Sequence, residues 1–252
     1  MLTGRGRALR ACVVAAAIFI AGCAGKQILD LNGALIQAQQ QKSNLERELA
    51  GASNRDVVVV KLAQVAEQFQ QIADAAYEQA GTAADTKAKI SYYRIAATAD
   101  WQRGSDRALV AAQEGTQTCN TRNGFDVAPR DCAILLMIPN LLVNDLWVAR
   151  LNKPGGIDPA APDFVARGRE AIVALVQAYN GLGNALARTS GTGVSAELGQ
   201  VLQGQQQRIR KSVGDLGNVI LSRARPEDRP AALEICAFVR SEAPAILPSR
   251  CR

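Results

Sequence analysis

Apolar side chains recur at intervals of three and four residues along most of this chain. The earliest such seam contains one polar member and comprises Ile28, Leu31, Leu35, Ala38, Lys42, Leu45 and Leu49. This spacing places the apolar side chains on one face of a helix. Two interpretations stay open, namely an amphipathic helix of a bundle and a stalk or coiled coil that contacts a partner helix. In the second interpretation Leu31, Leu35, Leu45 and Leu49 are the partner contacts.

Two long apolar stripes with the same spacing occupy the last third of the chain. The first consists of Ile172, Leu175, Tyr179, Leu182 and Leu186, and the second of Leu198, Leu202, Ile209, Val213, Leu216 and Ile220. A Gly-Thr-Gly turn at residues 191–193 separates them. Two long amphipathic helices joined by a tight turn form an antiparallel hairpin.

The middle of the chain also has a helical pattern. Four valines at residues 57–60 resemble a strand by composition, but Leu62, Val65 and Phe69 continue at helical spacing. The most apolar segment, residues 133–138, is followed at once by Pro139. It is too short to span a bilayer, which needs about 20 residues, so it predicts a buried central helix kinked near the proline.

These patterns predict an all-α protein, a multi-helix bundle of antiparallel helical hairpins with about seven helices and no substantial sheet. The clearest linker is the Pro- and Gly-rich stretch at 152–162. It divides a possible subdomain 23–151 from another at 163–252.

One helical pair resembles a single tetratricopeptide repeat. Tyr92, Ile95, Ala96 and Ala108 stand where that repeat places its aromatic, Leu, Gly and Ala residues. No second repeat follows or precedes it, and such arrays need about three units to bury their faces. A generic helical hairpin is therefore the preferred interpretation of this segment.

The first 22 residues have the layout of an export signal. Arg5, Arg7 and Arg10 precede an apolar run from Ala11 to Ile20. A basic start, a short apolar run and small residues before a cleavage site are typical of a segment that is removed after translocation.

The residues Ile20-Ala21-Gly22-Cys23 resemble the lipobox of bacterial lipoproteins. The resemblance implies cleavage before Cys23 and attachment of acyl chains, such as palmitate, to this cysteine. Several acyl chains make a stable membrane anchor. Ala24 follows the lipid site, and the absence of Asp there implies sorting to the outer membrane rather than retention in the inner one. The mature domain, residues 23–252, is then expected to face the periplasm.

Composition narrows the function classes. The chain has 29 basic and 23 acidic residues and no histidine. Three of the arginines belong to the export signal, so the mature chain carries only a mild positive charge, and no nucleic-acid partner is expected.

Four cysteines remain besides Cys12 in the signal and the lipid site: Cys119, Cys132, Cys236 and Cys251. An even number in an exported protein indicates disulfides. Of three possible pairings we favour the local one, Cys119–Cys132 and Cys236–Cys251, because each pair brackets a loop next to a helix. A metal site is not expected, since the chain has no C-x-x-C motif and no histidine.

The sequence predicts no enzyme and no cofactor besides the covalent lipid. The absence of histidine removes the commonest general base, and neither G-x-S-x-G nor S-x-x-K occurs. We therefore expect a lipid-anchored, non-enzymatic adaptor or scaffold that binds an envelope protein through helical faces. The alternative is an envelope ligand-binding protein with a pocket between helices near Trp101 or Trp147, and a cell-wall enzyme is less favoured.

Overall fold

The fold is known from a computed structural model. It describes residues 5–121, 124–151, 156–189 and 196–252, with side chains from Lys26 onward apart from residues 188, 189 and 197. Within these residues the chain forms nine α-helices and no strand. The predicted all-α helical class is therefore confirmed, with more helices than the expected seven.

The helices follow one another with mostly short connections. Their bounds are α1 Arg5–Gly51, α2 Arg55–Thr82, α3 Thr86–Gln102, α4 Arg107–Asn120, α5 Gly124–Val127, α6 Pro129–Val143, α7 Phe164–Thr189, α8 Ala196–Arg223 and α9 Arg229–Glu242. A π-helical turn, Asn144–Val148, continues α6. The four valines at the start of α2 are helical, as the spacing of the following residues predicted.

The first three helices lie side by side. Lys61 on α2 lies 3.9 Å from Glu48 on α1, so these neighbours run antiparallel. Arg94 on α3 donates to the Asn32 amide oxygen at 2.8 Å, and Lys42 donates to the Gln102 carbonyl. Along each of the two helices, the residue of the first contact precedes the residue of the second contact. Helix α3 therefore runs parallel to α1.

Helix α6 is the central element of the bundle. It packs against α3, α4, α7 and α8. With its π-helical continuation it forms an apolar stretch, Pro129–Val148, whose length and composition would suffice to cross a membrane. Leu135, Leu136, Ile138 and Leu142 are nonetheless almost completely buried within the protein. The segment is therefore the buried core helix that was predicted, and its burial rather than its length shows this.

Pro139 stands inside α6. It lacks an amide hydrogen, which removes one backbone hydrogen bond from the helix interior. The next turns widen into the π-helical segment, where the Ala149 amide reaches back five residues to the Asn144 carbonyl at 2.7 Å.

The C-terminal hairpin forms as the two apolar stripes predicted, with α7 packed along α8. The chain's last residues fold back onto α8, where the Asn218 side-chain oxygen accepts from the Arg250 amide at 3.0 Å. Gly217 permits this approach, because a Cβ there would lie 2.5 Å from Pro248.

Buried side chains from both predicted subdomains form one continuous core. Helix α6 of the first part packs against α7 and α8 of the second. The first four residues of the linker predicted at 152–162 lie outside the described residues. The linker joins two parts of this shared core.

Both predicted cysteine pairs lie at disulfide-bonding distance. The Cα atoms of Cys119 and Cys132 are 5.8 Å apart, and those of Cys236 and Cys251 are 5.3 Å apart. The first bond links the end of α4 to the start of α6 across α5. The second fixes the last residue but one to α9.

The bundle has two ends, which we name by their distance along α1 from the predicted lipid site at Cys23. The proximal end contains Ile28, the α2–α3 turn and the Cys119–Cys132 disulfide. The distal end contains the α1–α2 turn at residues 52–54, the end of α3 and the π-helical turn. From Ile28 to Leu49 the rise along α1 is about 30 Å.

Candidate functional site

The four leucines predicted as partner contacts face the protein body. Leu35 and Leu45 are 2% and 7% exposed, and Leu31 and Leu49 pack half-buried against the same core. Helix α1 contacts α2 and α3 along this seam. Buried leucines are accessible to a partner only if α1 leaves the body, so the arrangement is that of a bundle helix. Their role in partner binding stays a prediction.

The lipid site predicted at Cys23 lies outside the residues whose side chains are described. Its distance from the body follows from the chain length alone. Ile28 is five positions after Cys23 and is the first described side chain that packs against the core. Five residues span at most about 18 Å when fully extended. An acyl chain on Cys23 would therefore hold the proximal end close to a bilayer and direct the distal end away from it.

Exposed apolar side chains concentrate on one turn at the distal end. Val57, Val59 and Val60 are 49%, 53% and 59% exposed, whereas Val58 between them is buried. We call these three residues the valine turn. Charged Arg55, Asp56 and Lys61 flank it in sequence. An apolar cluster with a charged border is typical of a protein-contact surface.

A cleft of about 590 Å³ opens at the same end of the bundle, between the α1–α3 layer and the end of α6, and none of the three valines lines it. We call it the distal cleft. Its floor is apolar and consists of Leu62, Val65, Phe69, Leu142 and Leu146. Its size and its apolar floor match those of small-molecule sites.

The rim of the distal cleft is polar and mostly basic. Trp101 stands at its edge and donates its indole N–H to the Asp145 carboxylate at 3.0 Å. Lys42 is held by the Gln102 carbonyl and lies 3.8 Å from Glu46. These contacts engage both acidic groups of the rim. The remaining charged groups are the guanidinium groups of Arg103 and Arg150.

A left-handed turn brings the two arginines to the same rim. Gly104 has a φ of +73°, a conformation that L side chains rarely adopt. A Cβ at this position would lie 2.9 Å from Nη2 of Arg150, so the guanidinium packs directly against the glycine backbone. Arg103 immediately precedes this turn. The glycine thus provides both the reversal of the chain and the space for Arg150.

Beneath the rim a buried carboxylate joins three helices. The Asp100 side chain is 3% exposed, with Arg103 at 3.5 Å and Arg107 at 3.7 Å. Arg107 also contacts Asp74 on α2 at 2.7 Å. Burial raises the pKa of Asp100, while Arg107 and Arg103 oppose the rise. This network fixes the end of α3 against α2 and α4, and hence the wall of the cleft.

The two tryptophans predicted near a pocket have different surroundings. Trp147 is 4% exposed and packs against Phe164, with ring centroids 5.8 Å apart. The Arg167 guanidinium lies 5.9 Å from its ring centroid. Trp147 is therefore a core residue with only a recess of about 20 Å³ beside it. Of the two tryptophans, Trp101 is the one that lines a sizeable pocket.

A second polar cluster, at the proximal end, is structural. The Tyr77 hydroxyl donates to Glu114 at 2.5 Å, and the rings of Tyr77 and Tyr93 meet edge to face at 5.9 Å. The bond to Glu114 and burial raise the pKa of Tyr77 to about 12. The cluster links α2, α3 and α4, and the phenols stay protonated at neutral pH.

Sequence reasoning missed three elements of the distal end: the valine turn, Arg103 and Arg150. The valines were interpreted only as helix or strand formers, and the arginines carry no motif. Among the residues that the structure describes, no group of three or more His, Cys, Asp or Glu side chains could hold a metal ion.

Comparison with known proteins adds no relative. No family model, no curated protein and no solved structure matches the chain significantly.

Proposed function

We propose that this protein is a lipid-anchored, non-enzymatic adaptor or scaffold of the bacterial cell envelope, held in the outer membrane by acylated Cys23 and facing the periplasm. The anchor is supported by the residues Ile20-Ala21-Gly22-Cys23 behind a basic and apolar leader. The short span between Cys23 and Ile28 leaves no long tether, so the body stands directly on the membrane.

The observation that carries the adaptor role is the valine turn. Three large apolar side chains are exposed within one turn of α2, at the end of the bundle far from the anchor. Exposing three valines to water is unfavourable, and covering them with a partner recovers on the order of 1 kcal/mol for each. The valine turn is therefore the surface that we assign to the partner protein.

The adaptor role is tested by cross-linking in intact cells. A photo-cross-linking amino acid at position 60 is expected to capture a discrete partner, and the variant Val57→Ser/Val59→Ser/Val60→Ser is expected to lose the native complex. The matched control is Val201→Ser/Leu233→Ser, which changes apolar side chains of similar exposure, 51% and 54%, on α8 and α9. If both variants retain the complex equally, the valine turn is not the contact surface.

The anchor is tested separately. Cys23→Ser is expected to abolish labelling by a radioactive or clickable fatty acid and to release the protein from the membrane fraction. A variant that still takes the label and remains in the membranes contradicts acylation at Cys23.

A further inference from the structure

We propose that the distal cleft binds a small organic carboxylate with an apolar body, a ligand-binding activity in addition to the adaptor role. The inference starts from the charges of the rim. Lys42, Arg103 and Arg150 provide three cations, and Glu46 and Asp145 provide two anions. The cleft thus has a net positive rim above an apolar floor, which is complementary to an amphipathic anion.

The charged side chains of the rim that already have a partner are less available to a ligand than those that have none. Asp145 accepts from Trp101, and Glu46 lies beside Lys42. Arg103 directs its buried Nη1 atom toward Asp100 at 3.5 Å, and among the described residues its Nε and Nη2 atoms have no hydrogen bond. Among the described residues, Arg150 has neither an ion pair nor a hydrogen bond. Two guanidinium groups therefore have free donors at one rim.

Guanidinium groups favour a carboxylate by geometry as well as charge. Their planar fork of N–H donors matches the two oxygens of a carboxylate in a bidentate pair. The Gly104 turn holds Arg150 next to the segment that carries Arg103, so both forks are available to one anionic group. The carboxylate lies at this rim, and the apolar body of the ligand lies over Phe69, Leu142 and Leu146.

The indole ring of Trp101 adds a flat apolar surface to the cleft, and its fluorescence can report ligand binding. Its indole is half-buried at the edge of the cleft, with the N–H already fixed by Asp145. A bound ligand body contacts the ring and displaces water from it. Ligand binding is therefore expected to change the fluorescence of Trp101, while Trp147 in the core reports little.

The test uses the full chain carrying Cys23→Ser and three probes of equal chain length. Octanoate, octanol and octylammonium have chains of eight carbon atoms and head groups that are anionic, neutral and cationic, respectively. We expect saturable binding of octanoate by calorimetry and by tryptophan fluorescence, at least tenfold weaker binding of octanol, and none of octylammonium. Equal binding of all three probes, or no binding of octanoate, overturns the proposal.

Two variants locate the site. Arg150→Ala is expected to weaken octanoate binding by about tenfold, because a hydrogen-bonded charge pair is lost. The matched control Arg210→Ala removes an exposed arginine of α8, outside the cleft, and is expected to leave the affinity unchanged. Trp101→Phe is expected to abolish the fluorescence response while calorimetry still detects binding. Equal affinities of the Arg150 and Arg210 variants contradict an anion site at this rim.

Discussion

The two ends of the bundle are built differently. At the proximal end a disulfide joins α4 to α6, the short α5 covers the junction, and the Tyr77–Glu114 bond ties α2 to α4. At the distal end the helices are held by ion pairs around Asp100, and both a cleft and three exposed valines remain open to solvent. We call the cross-linked end the closed end, and the end with the cleft and the exposed valines the open end.

The difference between the two ends follows from the positions of the Cys119–Cys132 disulfide and of the ion pairs around Asp100. A disulfide stabilises the folded state mainly by constraining the unfolded chain. The ion pairs around Asp100 join α2, α3 and α4 through side chains and place no covalent constraint on the unfolded chain. Three predictions test this difference, starting with the largest expected effect.

The first prediction concerns α1, the element that links the two ends. Leu35→Ala is expected to lower the free energy of unfolding by roughly 2–5 kcal/mol, because it leaves a cavity in the core. Ile36→Ala, on the 45% exposed outer face, is expected to change it by less than about 0.5 kcal/mol. Urea unfolding of both variants measures the difference. Equal, small effects would show that α1 is separable from the body and would restore its leucines as a partner site.

The second prediction concerns the closed end. Replacing Cys119 and Cys132 together by serine is expected to cost about 3 kcal/mol in the chain-entropy description of a loop of this length. Urea unfolding measures the loss. Hydrogen exchange is expected to accelerate in α5 and at the start of α6 and to stay unchanged at the valine turn. Acceleration spread evenly over both ends would contradict a local cross-link at the proximal end.

The third and smallest effect concerns pH and the open end. Burial raises the pKa of Asp100 above its usual 3.8, so the folded state retains a proton that the unfolded chain has released. Stability therefore falls as the pH rises from 3.8 through the folded pKa. The variant Asp100→Asn has no carboxyl proton to lose, so it does not show this loss of stability. Its stability relative to the wild type is therefore expected to increase with pH in the window between 3.8 and the folded pKa.

Urea unfolding over a pH series measures this relative stability. Asp215→Asn, at an exposed site, is the control for the loss of one negative charge. A relative stability of Asp100→Asn that is flat or decreasing over the window would show that the carboxylate is not buried as the structure has it.

Local pattern alone was sufficient for the helices and for the cysteine pairs. The stripes from Ile172 to Leu186 and from Leu198 to Ile220 lie at helical spacing and form α7 and α8, which pack against each other. The turn predicted at residues 191–193 lies outside the described residues. Cysteines 13 and 15 residues apart are close before the fold forms, so local pairing needs no long-range information. The helix starts were less predictable. Asp85 caps α3, with its carboxylate accepting from the Ala88 amide at 2.7 Å, and no apolar spacing indicates this start.

The candidate site was not predictable in the same way. Lys42, Phe69, Trp101 and Arg150 come from four distant segments and meet only when α6 lies across the first three helices. The seam from Ile28 to Leu49 fits a bundle helix and a coiled coil equally well by spacing, since both bury a stripe at intervals of three and four. Only the positions of α2 and α3 in the fold showed that these two helices, and not a partner protein, cover the seam.

The sequence by itself determined that this chain is helical, where its helices pair locally and how its body cysteines bond, because these properties depend on residues near one another in the chain. The tertiary structure decided which apolar faces are covered, which valines remain exposed and which arginines share a rim. Those properties depend on the packing of helices that are distant in sequence, and no local spacing contains that information.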